Sequence, residues 1–182
     1  QVTLERVKQL DALYPPVIVV GEEHRFTTWR QLSALDLFAE VEVLLEPLGK
    51  STGPAICGAV EFIRKNVAPD VVALVLPSDH LIDKDHEFVQ AVKNAVKHAE
   101  KERIVTFGIK PERAETCYGY IERGDDDRVL SFKEKPDKQC AREYLSRAEF
   151  YWNSGMFVFR VDTFQQEMKI HAPEMSCHMV GA

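Results

Sequence analysis

Residues 71–107 read VVALVLPSDHLIDKDHEFVQAVKNAVKHAEKERIVTF, and this stretch decides the fold class. Val71 to Leu76 is a run apolar on both faces, the pattern of a buried parallel strand. Across residues 85–101, Phe88, Val89, Val92, Ala95, Val96 and Ala99 recur at helical spacing and form one apolar stripe. Ile104-Val-Thr-Phe107 then returns to strand character. Strand, helix and strand in that order imply a right-handed crossover and a doubly wound α/β sheet.

Working outward, Val17 to Val20, introduced by Pro15-Pro16, and Val41 to Leu45 are two further apolar runs of strand length. Helices are predicted over 23–35 and over 52–65, the second with Thr52 as N-cap and Gly53-Pro54 in its first turn. After Gly108 the texture changes. Residues 118–122 and 129–133 flank Gly124-Asp-Asp-Asp127 as a hairpin. A helix from about Lys138 to Arg147, a strand over 155–160 and a helix from Asp162 complete a mixed second half. No linker, repeat or low-complexity segment separates the halves, so one domain is expected.

The 182 residues are 45% apolar and 29% charged, a globular mixture with net charge −6 and pI near 5.6. That balance argues against a protein built to grip a nucleic-acid backbone. No apolar run reaches the roughly 20 residues of a membrane span, and no signal-peptide pattern opens the chain. The four cysteines, at 57, 117, 140 and 177, form no CxxC pair. Structural zinc is therefore not expected, and reduced thiols point to the cytoplasm. Beginning with Gln1, the chain reads as a piece of something longer.

Loops at the carboxyl ends of parallel strands are where open α/β sheets bind ligands, and polar clusters fall at such places. Glu46-Pro-Leu-Gly-Lys-Ser-Thr-Gly-Pro54 runs from a strand end into a helix N-terminus, where free amides, Lys50 and two hydroxyls suit a phosphate or serve as a capped turn. It is not a P-loop, because the upstream glycine is missing. Asp79 in Leu76-Pro-Ser-Asp-His80 is placed either to anchor a hard cation beside a triphosphate or to cap a turn. His80, His86, Asp83 and Asp85 are better explained by capping and solvation than by a transition metal. In Phe132-Lys-Glu-Lys-Pro136 with Trp152-Asn-Ser-Gly155, Glu134 suits vicinal hydroxyls, Lys135 a phosphate, and Asn153 either polarity; a charged strand end and a β-turn would look the same.

Four ordered stretches add a resemblance. LEPLGKSTGPA at 45–55, VLPSDHLI at 75–82, TFGIKPERAETCYGYIERG at 106–124, and FKEKPD at 132–137 with YWNSGMFVF at 151–159 resemble mannose-1-phosphate guanylyltransferases. The likeness is to the bacterial type often fused to a phosphomannose isomerase domain. It implies the Rossmann-like nucleotide-diphospho-sugar transferase fold, here truncated, with a mostly parallel central sheet, flanking helices and a mixed sugar-binding half. Residues 1–108 would form the nucleotide side and 109–182 the sugar-phosphate side. By the same resemblance, Asp79 matches the position that helps bind catalytic Mg²⁺. Gly49, Lys50, Ser51, Thr52 and Ser78 lie beside the nucleotide, Tyr118 and Gly119 line the sugar pocket, Glu134 and Asn153 hold the sugar, and Lys135 meets its phosphate. GTP, mannose 1-phosphate and GDP-mannose are the implied ligands, with no nucleic acid or membrane partner.

The departures are equally specific. Similar enzymes open with a GGxGxRLxPLS loop and a PKQ segment, neither of which stands in this chain, and their second metal-binding Asp would lie beyond Ala182. Lys50-Ser51 replaces Arg-Asn, and Cys117 stands where the family has Gly, with the prospect of crowding the sugar pocket. The isolated chain is therefore expected to turn over weakly, and to associate through unpaired sheet edges or form a homo-oligomer. Two rival classes stay open: a non-catalytic sugar-nucleotide-binding or assembly module, and a glycosyltransferase using Asp83-x-Asp85 as a metal pair.

Overall fold

The computed structural model describes residues 2–7, 9, 10, 14–35, 40–49 and 51–175, except the side chains of Val2 and Glu5. The elements run α1 (Val2–Val7), β1 (Val17–Gly21), a 3-10 turn (Glu22–His24), α2 (Arg25–Ala34), β2 (Glu42–Glu46), α3 (Thr52–Asn66), β3 (Val72–Val75) and α4 (Asp85–Ala99). They continue with β4 (Val105–Ile109), β5 (Tyr120–Arg123), a 3-10 turn (Asp125–Asp127), β6 (Val129–Lys133), α5 (Lys138–Ser146), β7 (Phe150–Arg160) and α6 (Val161–His171). The α/β alternation is the expected one. Lys50 and Cys177 lie outside the described residues.

The chain divides into two compact units, Gln1–Ile104 with Val158–Ala182, and Val105–Phe157. In the first, β1 and β2 pair in parallel, Val17 opposite Glu42 through Gly21 opposite Glu46. The crossover between them carries α2. Helix α4 buries Phe88, Val92, Ala95 and Ala99, four residues of the expected stripe, spaced one helical turn apart. Its first turn is acidic at Asp85 and Glu87 and its last turn basic at Lys97 and His98, which suits the helix dipole. Helix α3 buries Ile56, Cys57, Val60 and Glu61. The Glu61 carboxylate accepts from Arg64 at 2.6 and 2.9 Å and from Gln165 Nε2 of α6 at 3.2 Å, which ties α3 to α6.

Helix α1 is anchored by one buried cation. Arg6, only 4% exposed, donates from Nε to Asp85 Oδ1 at 3.1 Å and from Nη2 to the Ile82 carbonyl at 3.0 Å, with its guanidinium 5.6 Å from the Phe88 ring centroid. Gln9 donates to the other Asp85 oxygen at 3.0 Å.

In the second unit β5 pairs antiparallel with both β6 and β7, and β4 pairs with β7. One side of this sheet packs Tyr120, Phe150 and Trp152 against Ala141 of α5, with Tyr144 stacked on Phe150 at 4.3 Å. Asp137 caps α5 by accepting from the Cys140 amide at 2.8 Å. The strand expected over 155–160 begins five residues sooner, at Phe150. Asn153-Ser154-Gly155 has turn composition, yet the backbone stays in the ladder. Its alternation of buried and half-buried residues across 150–158 shows why, because both neighbours pack against it.

Candidate functional site

Three strands bring three of the singled-out residues into one row of the second unit. Tyr120 lies opposite Lys133 on β6 and opposite Trp152 on β7. One step back along antiparallel strands, Gly119 lies between Glu134 and Asn153. The Asn153 amide donates to the Gly119 carbonyl at 2.8 Å, and a Cβ placed on Gly119 would stand 3.0 Å from Glu134 Oε2 and 2.8 Å from the Phe132 ring. A side chain at 119 would thus collide with the Phe132 ring and crowd the carboxylate. Glycine lets the Phe132 ring and the Glu134 carboxylate close over the backbone here, between an exposed acid and a half-buried amide.

Neighbouring residues hold this row. Asn153 Oδ1 accepts from Thr106 Oγ1 on β4 at 3.0 Å and from the Gly155 amide at 3.3 Å. Gly155 has φ of 71°, a conformation that favours glycine. Lys135, beside Glu134, has φ of 41°, and its Nζ lies 3.9 Å from Glu134 Oε1 with both side chains exposed. That is a loose ion pair of little weight for stability.

Tyr118 is not in the row. Its ring stands edge-on to Trp152 at 5.4 Å and 79°, over the aromatic core. Glu115 organises the approach to it, accepting from the Thr116 amide at 3.0 Å, the Cys117 amide at 3.3 Å and Arg113 Nε at 3.3 Å. The Cys117 amide above all, with Arg113 and Thr116, holds the Glu115 carboxyl below its ordinary value. Cys117 is exposed and is not among the residues with positive φ, so a side chain at this position brings no left-handed strain.

In the first unit the loop after β2 reaches α3 through Ser51, which takes the N-cap position expected of Thr52; Thr52 is the first helical residue. Ser51 has φ of 75° and ψ of 179° and its hydroxyl makes no cap hydrogen bond. Such a backbone is nearly confined to glycine, and strain of this kind concentrates at ligand sites. A Cβ added at Gly49 or Gly53 would meet nothing within 4 Å, so packing does not demand either glycine. After β3, Ser78 and Asp79 form an exposed turn, with the Ser78 carbonyl accepting from Thr3 Oγ1 at 3.2 Å. Asp85, by contrast, has both oxygens taken by Arg6 and Gln9, and these bonds, Gln9 first, hold its carboxyl low. This removes Asp83-x-Asp85 as a ready metal pair. No group of three or more His, Cys, Asp or Glu suited to a metal occurs among the described residues.

Sequence reasoning singled out neither Thr106 nor Glu115. Thr106 is absorbed by the strand pattern because it is β-branched, and Glu115 sits in a loop whose only signal is a carboxylate just ahead of two amides it can cap.

The family model described as nucleotidyl transferase matches residues 1–178. The chain belongs to the nucleotidyl transferase family. A mannose-1-phosphate guanylyltransferase of Salmonella montevideo is 40% identical over 93% of this chain and 37% of its own length. The xanthan biosynthesis protein XanB of Xanthomonas campestris is 43% identical over 91% of this chain and 36% of its own. Among solved structures, one titled mannose-6-phosphate isomerase, from Helicobacter pylori, superposes with a TM-score of 0.87 at 33% identity, covering 98% of this chain and 67% of that one. This family member therefore spans little more than a third of the curated relatives it matches. The fold expected from the sequence, a nucleotidyl transferase α/β fold with a mixed second half, is the observed one.

Proposed function

We propose that this chain is part of the catalytic domain of a mannose-1-phosphate guanylyltransferase. Residues 1–108 form its nucleotide side and 109–182 its sugar-phosphate side. The observation that carries the reading is the Glu134–Gly119–Asn153 row, which sets an exposed carboxylate and a side-chain amide on either side of a glycine, a pair of opposite polarity suited to a polyhydroxylated ring. The names of the relatives supply the reaction class.

In that reaction an oxygen of the mannose 1-phosphate phosphate attacks the α-phosphorus of GTP. The bond from that phosphorus to the bridging oxygen breaks, pyrophosphate leaves with the electron pair, and GDP-mannose forms. The protein positions the reactants and neutralises charge. Glu134 accepts from sugar hydroxyls, Asn153 binds the same ring, Tyr118 and Gly119 shape its surroundings, and Lys135 meets the sugar phosphate as a compact cation. The same reading assigns Gly49, Lys50, Ser51, Thr52 and Ser78 to contact with the nucleotide.

The acceptor oxygens of Asp79 fit Mg²⁺. The carboxylate is exposed, engages no described side chain and belongs to the hard-donor class, and Mg²⁺ needs only one or two such groups beside phosphates. When bound, the ion would polarise phosphate oxygens and offset their charge. A cytoplasmic setting belongs to the same proposal and rests on the reduced thiols expected of the four scattered cysteines. No helix among the described residues is long and apolar enough to cross a membrane.

Calorimetric titration of GDP-mannose, with UDP-glucose as comparator, tests the reading. Saturable binding that prefers GDP-mannose, and whose Mg²⁺ dependence disappears in Asp79→Asn, is the expected result. A folded chain that binds neither ligand, or prefers UDP-glucose, overturns it. Conversion of mannose 6-phosphate without GDP-mannose binding would assign the chain to the chemistry named for the H. pylori neighbour.

A further inference from the structure

We infer that Thr106 is a positioning residue that, together with the Gly155 backbone amide, holds the Asn153 side chain so that its amide nitrogen, and not its carbonyl, is offered to the sugar phosphate. The inference rests on the sugar-binding reading of the Glu134–Gly119–Asn153 row.

An asparagine amide has two ends of similar shape and opposite polarity, and its neighbours decide which end faces where. Here Oδ1 accepts from Thr106 Oγ1 at 3.0 Å and from the Gly155 backbone amide at 3.3 Å. The threonine hydroxyl alone would not settle the orientation. It has one proton, also within reach of the Met156 carbonyl at 3.2 Å, and with the proton turned there its oxygen would accept from Nδ2. The Gly155 amide removes that ambiguity, because a flipped side chain would set Nδ2 against another donor. Gly155 holds this position with φ of 71°.

With both Oδ1 contacts made inside the protein, Nδ2 donates to no described residue. Asn153 is thus left as a donor and Glu134, on the other side of Gly119, as an acceptor. A ligand that reaches both groups meets opposite polarities at its two ends, which fixes its direction as well as its place. Thr106 need not touch the ligand to set this.

The test uses the full chain labelled with ¹⁵N. Thr106→Val keeps the shape and removes the hydroxyl, Thr106→Ser restores it, and Asn153→Ala identifies the Asn153 side-chain resonances by their loss. Thr106→Val is expected to move those resonances and to weaken mannose 1-phosphate binding about 2- to 10-fold, with Thr106→Ser close to the parent. In the Asn153→Ala background Thr106→Val should have no further effect on binding, which separates positioning from any loss at the Met156 carbonyl. Unmoved Asn153 resonances, or equal weakening with and without Asn153, overturn the inference. If the parent chain fails to bind mannose 1-phosphate, the sugar-site reading fails, while the Asn153 resonances still decide whether Thr106 fixes the amide.

Discussion

Lys135 keeps a side chain where the backbone favours none. A φ of 41° costs a non-glycine residue about 1–2 kcal/mol, part of which glycine would return to the unfolded chain. Lys135→Gly is therefore expected to raise stability by about 0.5–1 kcal/mol, seen as a higher melting temperature. The same change removes the cation assigned to the sugar phosphate, so mannose 1-phosphate affinity should fall about tenfold or more. Stability and affinity moving in opposite directions mark a residue kept for its charge. A fall in stability would show that the side chain contributes to folding, and unchanged affinity would show that the assignment is wrong. Much of this scale was legible beforehand, since Glu134, Gly119 and Asn153 stand in conspicuous polar stretches. Thr106 was not, because one strand hydroxyl carries no sign of the partner it will meet 47 residues later.

At the scale of elements, the α3–α6 tie has a definite acid signature. Glu61 sits buried at 8% exposure, and the Arg64 hydrogen bond, outweighing burial, holds its carboxyl below the ordinary value of 4.5. A lowered value in the folded state means the stabilisation is complete above pH 4.5 and drains away as pH falls through the folded value. Glu61→Gln, which cannot ionise, should lose about 1–2 kcal/mol at pH 7 by thermal or denaturant melting. The gap to the parent should narrow progressively below pH 4.5. A gap independent of pH would show that shape, not charge, holds the two helices. The helices and strands themselves were readable from period alone. The start of β7 was not: its turn-like Asn-Ser-Gly is overruled by strands on either side, which the local sequence does not contain. Nor did the sequence disclose how α1 is held, because Arg6 finds its partners 76 and 79 residues away.

Over the whole molecule, each compact unit carries one of the two tryptophans, Trp29 on α2 and Trp152 on β7. Trp29→Phe leaves Trp152, buried at 8% exposure, as the reporter of the smaller unit. A small unit buries a smaller share of its surface, so its fluorescence transition in urea is expected ahead of the far-ultraviolet circular dichroism of the chain. Coincident curves would mean that the units unfold as one.

The boundaries between those units fall at Ile104/Val105, immediately before β4 begins, and at Phe157/Val158, inside β7. The second is not a loop. At the second boundary a protease has no slack segment to nick, and a gene shuffled between relatives at that point would cut a strand. Chimaeras that exchange the second unit among nucleotidyl transferases can therefore break within 100–104 on the near side, but need a breakpoint displaced from the unit's own far edge. On the far side the whole of β7 should travel with the inserted piece, to Arg160 or beyond. The second unit is an excursion of the first chain rather than a bead on it, and it is inherited or replaced on those terms.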